Sequence, residues 1–79
     1  MSIRNLRTLV AVADRGSFAA AARAVGLTQS AVSMQLRGLE TELGTELFDR
    51  TRRPPVLNDH GKLLVRRARE IVQLYERMA

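Results

Sequence analysis

The sequence predicts a mainly α-helical fold: four helices, with one short β-ribbon between the third and the fourth. Three observations carry this reading. Apolar residues recur at three- and four-residue intervals along most of the 79 positions. Gly16, Gly26 and Gly44 each follow such a run, where a left-handed helix stop belongs. Only residues 46–58, ELFDRTRRPPVLN, lose the helical period and gain turn formers.

The first helix places Ile3, Leu6, Leu9, Val10 and Ala13 on one face, with Ser2 as its N-cap. Ser17 caps a short second helix over residues 18–25, whose narrow face is Phe18, Ala21, Ala22 and Val25. The third helix starts at Thr28 and runs to residue 43. With successive residues about 100° apart, Val32, Leu36, Leu39 and Leu43 fall in one stripe. Ser30, Met34, Arg37 and Thr41 lie opposite, flanked by Gln29 and Ser33. Ala31 and Gly38 share a further flank, where two small side chains would let a neighbouring helix approach. Leu47-Phe48 and Val56-Leu57 are the two halves of a ribbon with the basic tip DRTRRPP. Pro54 and Pro55 cannot donate ladder bonds, so the pairing must be short or at an edge. Asn58 caps a last helix that runs from Asp59 to the C-terminus. On it Leu64, Ala68, Ile71, Tyr75 and Met78 are spaced 4, 3, 4, 3, an a/d seam about two heptads long. Its other faces carry Lys62, Arg66, Arg67, Arg69 and Arg77.

Composition narrows the function. The length suits one small domain whose core is marginal, so burial through self-association would help. With no cysteine and a single histidine, His60, neither a disulfide nor a metal site of the usual kind is expected, and no cofactor. His60 reads as a surface residue. No apolar run approaches the roughly 18 residues that span a membrane, and the N-terminus does not read as a signal peptide. A cytoplasmic, nucleoid-associated location is expected. Thirteen Lys and Arg face eight Asp and Glu, a formal charge of +5, and twelve of the thirteen are Arg. The guanidinium fork matches phosphate and guanine edges. A sequence pI near 11.3 is therefore an electrostatic footprint of nucleic-acid binding. No paired nucleophile and base stand out, and so short a chain leaves little room for a pocket, which argues against an enzyme.

Two short helices joined by a tight Gly-Leu turn form a helix-turn-helix pattern, and the basic ribbon beside them reads as a wing. The fold expected is thus a winged helix-turn-helix with a three-helix core. In such a unit the second helix of the pair enters the major groove with its N-terminal residues at the base edges. There Gln29 can bond adenine, Ser30 and Ser33 can serve base or phosphate, Arg37 can reach phosphate or guanine, and Met34 can touch a thymine methyl. Thr28 opens that helix. Arg50, Arg52 and Arg53 would grip backbone or the adjacent minor groove, although Arg50 can instead pair with Asp49 or Glu46. Ser17 and the Phe18 amide can bind a phosphate at a helix N-terminus, and capping alone explains Ser17 equally well. The seam on the last helix can fold back on its own domain or pair with a second copy. Pairing is favoured, and a dimer would read two half-sites related by its two-fold axis.

The run SFAAAARAVGLTQSAVSMQLRGLETELGTELFDRTRRPPVLNDHG resembles the N-terminal domain of LysR-type transcriptional regulators. It carries their Ser-Phe, Ala-Ala, Gln-Ser-Ala-Val-Ser, Leu-Glu, Leu-Gly, Leu-Phe-x-Arg and later Gly in order, and the likeness covers essentially the whole chain. The resemblance implies a DNA-binding unit over residues 1–58 and a linker helix over 59–79 that dimerises. It implies an inverted-repeat site of the T-N11-A kind in double-stranded DNA. It also implies a further effector-binding domain, absent from this chain, through which alone a small-molecule inducer would act. Base-reading roles pass to Gln29, Ser30, Ser33 and Met34, and wing roles to Arg50, Arg52 and Arg53. Met34 stands where many members have arginine, Ser30 where many have proline, and Gly38 where a basic residue is common. Asn58 and His60 stand where Thr and Ala are frequent. The competing function is a winged-helix module that binds another protein rather than a DNA sequence; steep weakening by salt would mark the DNA reader.

Overall fold

Three helices with side-chain caps open the chain. In the computed structural model, which describes residues 1–78, α1 spans Ile3–Arg15, α2 Phe18–Val25 and α3 Gln29–Leu43. The hydroxyls of Ser2, Ser17 and Thr28 accept from the amides of Asn5, Ala20 and Ala31, so each helix starts where its N-cap residue was expected. The turn between α2 and α3 needs a backbone that only glycine adopts freely. Gly26 sits at φ 73°, and both its N–H and that of Leu27 return to the Ala22 carbonyl. The chain thereby reverses within two residues and α3 crosses over α2.

The ribbon follows. Strand β1 (Phe48–Asp49) pairs antiparallel with β2 (Val56–Leu57), Phe48 opposite Leu57 and Asp49 opposite Val56. Two residues per strand is what the adjoining prolines allow. Asp49 closes the turn by accepting from the amide of Thr51 at 3.0 Å. Helix α4 spans Asp59–Arg77, capped by Asn58, whose side chain accepts from Gly61 and donates to the Glu46 carbonyl. Arg7 meets Glu76 and Asp14 meets Arg69, so α4 runs antiparallel along α1.

One core joins all four helices and β1. Leu9, Val32, Leu36, Leu39, Leu47 and Ala68 have 1% or less of their surface exposed, and Leu6, Val12, Ala21, Ala22, Phe48, Val65 and Val72 complete it. Since α4 contributes Val65, Ala68 and Val72, position 58/59 separates two elements that share this core. No helix among the described residues is long and apolar enough to cross a membrane.

Four expectations need correction. On α1 the buried face is Leu6, Thr8, Leu9 and Val12, while Val10 and Ala13 are only half-buried. Thr8 is tolerated because its hydroxyl lies 2.7 Å from Gln35 Oε1 and 3.0 Å from the Arg4 carbonyl, which satisfies it and ties α1 to α3. Leu43, the last of the α3 stripe, is exposed, because the core ends a turn earlier. Gly38 admits no neighbouring helix: a Cβ built there meets nothing within 4 Å. Ala68, placed on the outward seam, lies inside this chain's own core, since α4 buries Gly61, Val65, Ala68 and Val72 against α1 and the ribbon.

Candidate nucleic-acid interface

The outer face of α3 faces open space beside the wing. Gln29, Ser30, Met34 and Arg37 are exposed and Ser33 is half-buried. None of these five side chains makes a hydrogen bond within the described residues, so their donors and acceptors are free. Between this face, the start of α2 and the wing runs an open groove. Its lining joins Ser17, Phe18 and Ala19 to Gln29, Ser30, Ser33 and Arg37, and to Arg50, Arg53, Pro54 and Pro55. Eight expected residues therefore come together: Ser17, Phe18, Gln29, Ser30, Ser33, Arg37, Arg50 and Arg53. Thr28, Met34 and Arg52 lie outside the groove lining, exposed on neighbouring surface. Ala19 was not foreseen, and Pro54 and Pro55 were expected only as part of the wing over residues 49–55. They form an apolar wall, and the fixed ring geometry of adjacent prolines stiffens the descending arm of the wing.

Several of these groups have other work. The Ser17 and Thr28 hydroxyls cap their helices. The Phe18 ring meets Phe48 edge-on, with centroids 5.2 Å apart, and so fastens α2 to the ribbon. Arg50 corrects the alternatives considered for it. It pairs with neither Asp49 nor Glu46 but with Glu40 on α3, its Nη1 2.9 and 3.0 Å from the two carboxylate oxygens. Glu40 is buried and also accepts from the amide of Leu47 at 2.8 Å. The Arg50 guanidinium lies 5.6 Å from the Phe48 ring centroid, and its Nη2 is buried without a hydrogen-bond partner. Arg50 thus buttresses the groove from within, whereas the exposed Arg52 and Arg53 carry its free positive charge at the tip.

The carboxyl of Glu40 reports the same geometry. Burial pushes its pKa up, but the hydrogen bonds from Arg50 and from the Leu47 and Phe48 amides outweigh that and hold it below the usual 4.5. Asp14, held by the Arg69 guanidinium, is lowered too, and Asp49 is lowered by Thr51. Glu40 was legible only in part. It stands one turn after Leu36 and one turn before Leu43 or Gly44, on the edge of the apolar stripe, which is the position a buried carboxylate occupies when a cation from elsewhere reaches it.

A model of the bacterial regulatory helix-turn-helix proteins of the lysR family matches residues 3–62. The chain belongs to the lysR family. Among curated members it is 54% identical over 68 residues to the HTH-type transcriptional regulator PecT of Dickeya dadantii, covering 86% of this chain and 22% of that protein. It is 48% identical over 64 residues to PtxR of Pseudomonas aeruginosa, covering 81% and 20%. The chain thus spans about a fifth of the length of these two relatives. Among solved structures it resembles the CbnR DBD–DNA complex, with a TM-score of 0.91, 35% identity and coverage of 99% of this chain and 90% of that one. The BenM DBD complex with catB site 1 DNA matches with a TM-score of 0.92, 33% identity and coverage of 99% and 84%. The fold of this lysR-family chain is therefore the winged helix-turn-helix of these DNA-bound domains.

Proposed function

We propose that this chain is the operator-reading domain of a bacterial transcription regulator. It binds double-stranded DNA with α3 in the major groove and the wing on backbone or adjacent minor groove. The observation that carries this reading is the single groove in which the unpaired polar face of α3 and the Arg53 side of the wing converge. A B-form major groove, about 12 Å wide, takes one α-helix, and the short side chains at Gln29, Ser30 and Ser33 let the helix sit deep. Arg37 and Arg53 then fall where phosphates flank the helix. The relatives' names and DNA-bound structures support the same conclusion. In this reading the chain works as a dimer through α4, and any inducer acts on a further domain.

The test is a fluorescence-anisotropy titration of the chain on a duplex carrying a T-N11-A inverted repeat and on its scramble, at low and at physiological salt. Tighter binding of the first is expected, with both weakening steeply as salt rises because bound phosphates release counterions. Arg53→Ala should weaken both duplexes alike and reduce the log–log salt slope by about 1. If neither duplex binds at low salt, the reading fails and a protein partner for this face becomes the better account.

A further inference from the structure

Met34 is 73% exposed, and it is the one large apolar side chain on the outer face of α3. It takes no part in the hydrophobic core or its half-buried rim. Its position at i+4 from Ser30 and i−3 from Arg37 puts it at the centre of the polar face rather than at its edge. Nothing of this chain shields it from the next turn, where Gly38 has no side chain and open space beyond. Met34 is thus apolar surface left in water beside the hydrogen-bonding side chains of Ser30, Ser33 and Arg37, with no packing gained within the chain.

On the floor of a major groove the apolar group available to such a side chain is the C5-methyl of a pyrimidine, carried by thymine in ordinary DNA and by 5-methylcytosine in modified DNA. Met34 has neither donor strength nor charge with which to read anything else there, and its three rotatable bonds let it settle on a methyl group without exact placement. We infer that Met34 is a specificity-determining residue that reads a pyrimidine C5-methyl at one position of each half-site. This deepens the DNA-reading proposal and rests on it.

The experiment begins with duplexes that the chain itself enriches from a randomised pool. Each thymine of an enriched duplex is then replaced singly by uracil, which removes the methyl and changes no Watson–Crick or groove hydrogen bond. One thymine per half-site should be sensitive, with binding weakened about threefold to fourfold, the worth of one buried methyl. In Met34→Ala that sensitivity should vanish while the responses at the other thymines stay as in the parent, and Met34→Leu should restore it. A circular-dichroism melt of both variants should match the parent, since the side chain is exposed. Cytosine and 5-methylcytosine are compared at the same position. A gain with the methylated base assigns the methyl of either pyrimidine, and no gain assigns thymine alone; both uphold Met34 as its reader. If Met34→Ala loses as much as the parent at every uracil, the inference is overturned. If the parent enriches no sequence at all, the DNA-reading proposal itself falls, and this inference with it.

Discussion

Glu40 shows how one residue can hold an interface together without touching what binds there. Its carboxylate takes the backbone amide of Leu47, just before β1, and the guanidinium of Arg50, and so joins α3 to the root of the wing. Removing one member of a buried, hydrogen-bonded pair leaves the other charge uncompensated. Glu40→Gln should therefore lower stability by about 3 kcal/mol at neutral pH, read by urea unfolding. The pH dependence has a definite sign. The folded-state pKa lies below the ordinary 4.5, so the unfolded chain takes the proton first as acid is added. The stabilisation is complete above pH 4.5 and disappears as pH falls through the folded value. Thermal melts should fall on that limb, and the Gln variant should fall less. Equal acid limbs in the two proteins would assign the effect to other carboxylates, Asp14 first among them. This pair was hidden in the sequence because ten residues and a turn separate its members, whereas helix capping, which acts over three residues, was readable at Ser2, Ser17, Thr28 and Asn58.

Among the elements, α4 is set by contact with backbone rather than by its own pattern. Its first turn rests on the ribbon: Asn58 donates twice there, its amide to the Leu47 carbonyl at 2.9 Å and its side chain to the Glu46 carbonyl. Gly61 fits because it has no side chain. A Cβ at that position would overlap the Leu47 carbonyl oxygen and meet the Leu57 side chain at 2.8 Å. The oxygen belongs to the backbone and cannot step aside. Gly61→Ala should cost about 3 kcal/mol through overpacking and loosen α4 from β1. Hydrogen exchange would separate this from a general loss: protection should fall first at the Asn58 and Gly61 amides. A variant as stable as the parent would mean that the ribbon shifts freely. The four helices and the ribbon were predictable from period and punctuation, since both are local. The reason for Gly61 was not, because a close approach between elements leaves no trace in the spacing of either one.

At the scale of the whole molecule, α4 carries two apolar stripes side by side. Gly61, Val65, Ala68 and Val72 form the inner one and are buried against α1 and the ribbon. Leu63, Ile71, Leu74 and Met78 are exposed, from 42% at Leu63 to 85% at Met78, and half-buried Leu64 borders them. The expected seam, Leu64-Ala68-Ile71-Tyr75-Met78, ran obliquely across both. Ala68 belongs to the inner stripe, and Tyr75 lies at its end with its ring 5.7 Å from the Arg7 guanidinium. A strict 3.5-residue repeat fitted the spacing but could not separate stripes that share a border, which only the packing of α1 decides. The outer stripe has no covering element among the described residues, and a small domain gains most from burying such a surface against its own copy. In the dimer proposed for this chain, Leu74 is therefore a better probe than any residue of the shared border. Leu74→Asp should give a monomer in sedimentation velocity where the parent is a dimer, with an unchanged far-ultraviolet spectrum because the side chain is 59% exposed. Its affinity for a two-half-site duplex should drop towards that for a single half-site, as linkage between the two recognition helices is lost. A Leu74→Asp dimer would place the interface on a different face of the domain.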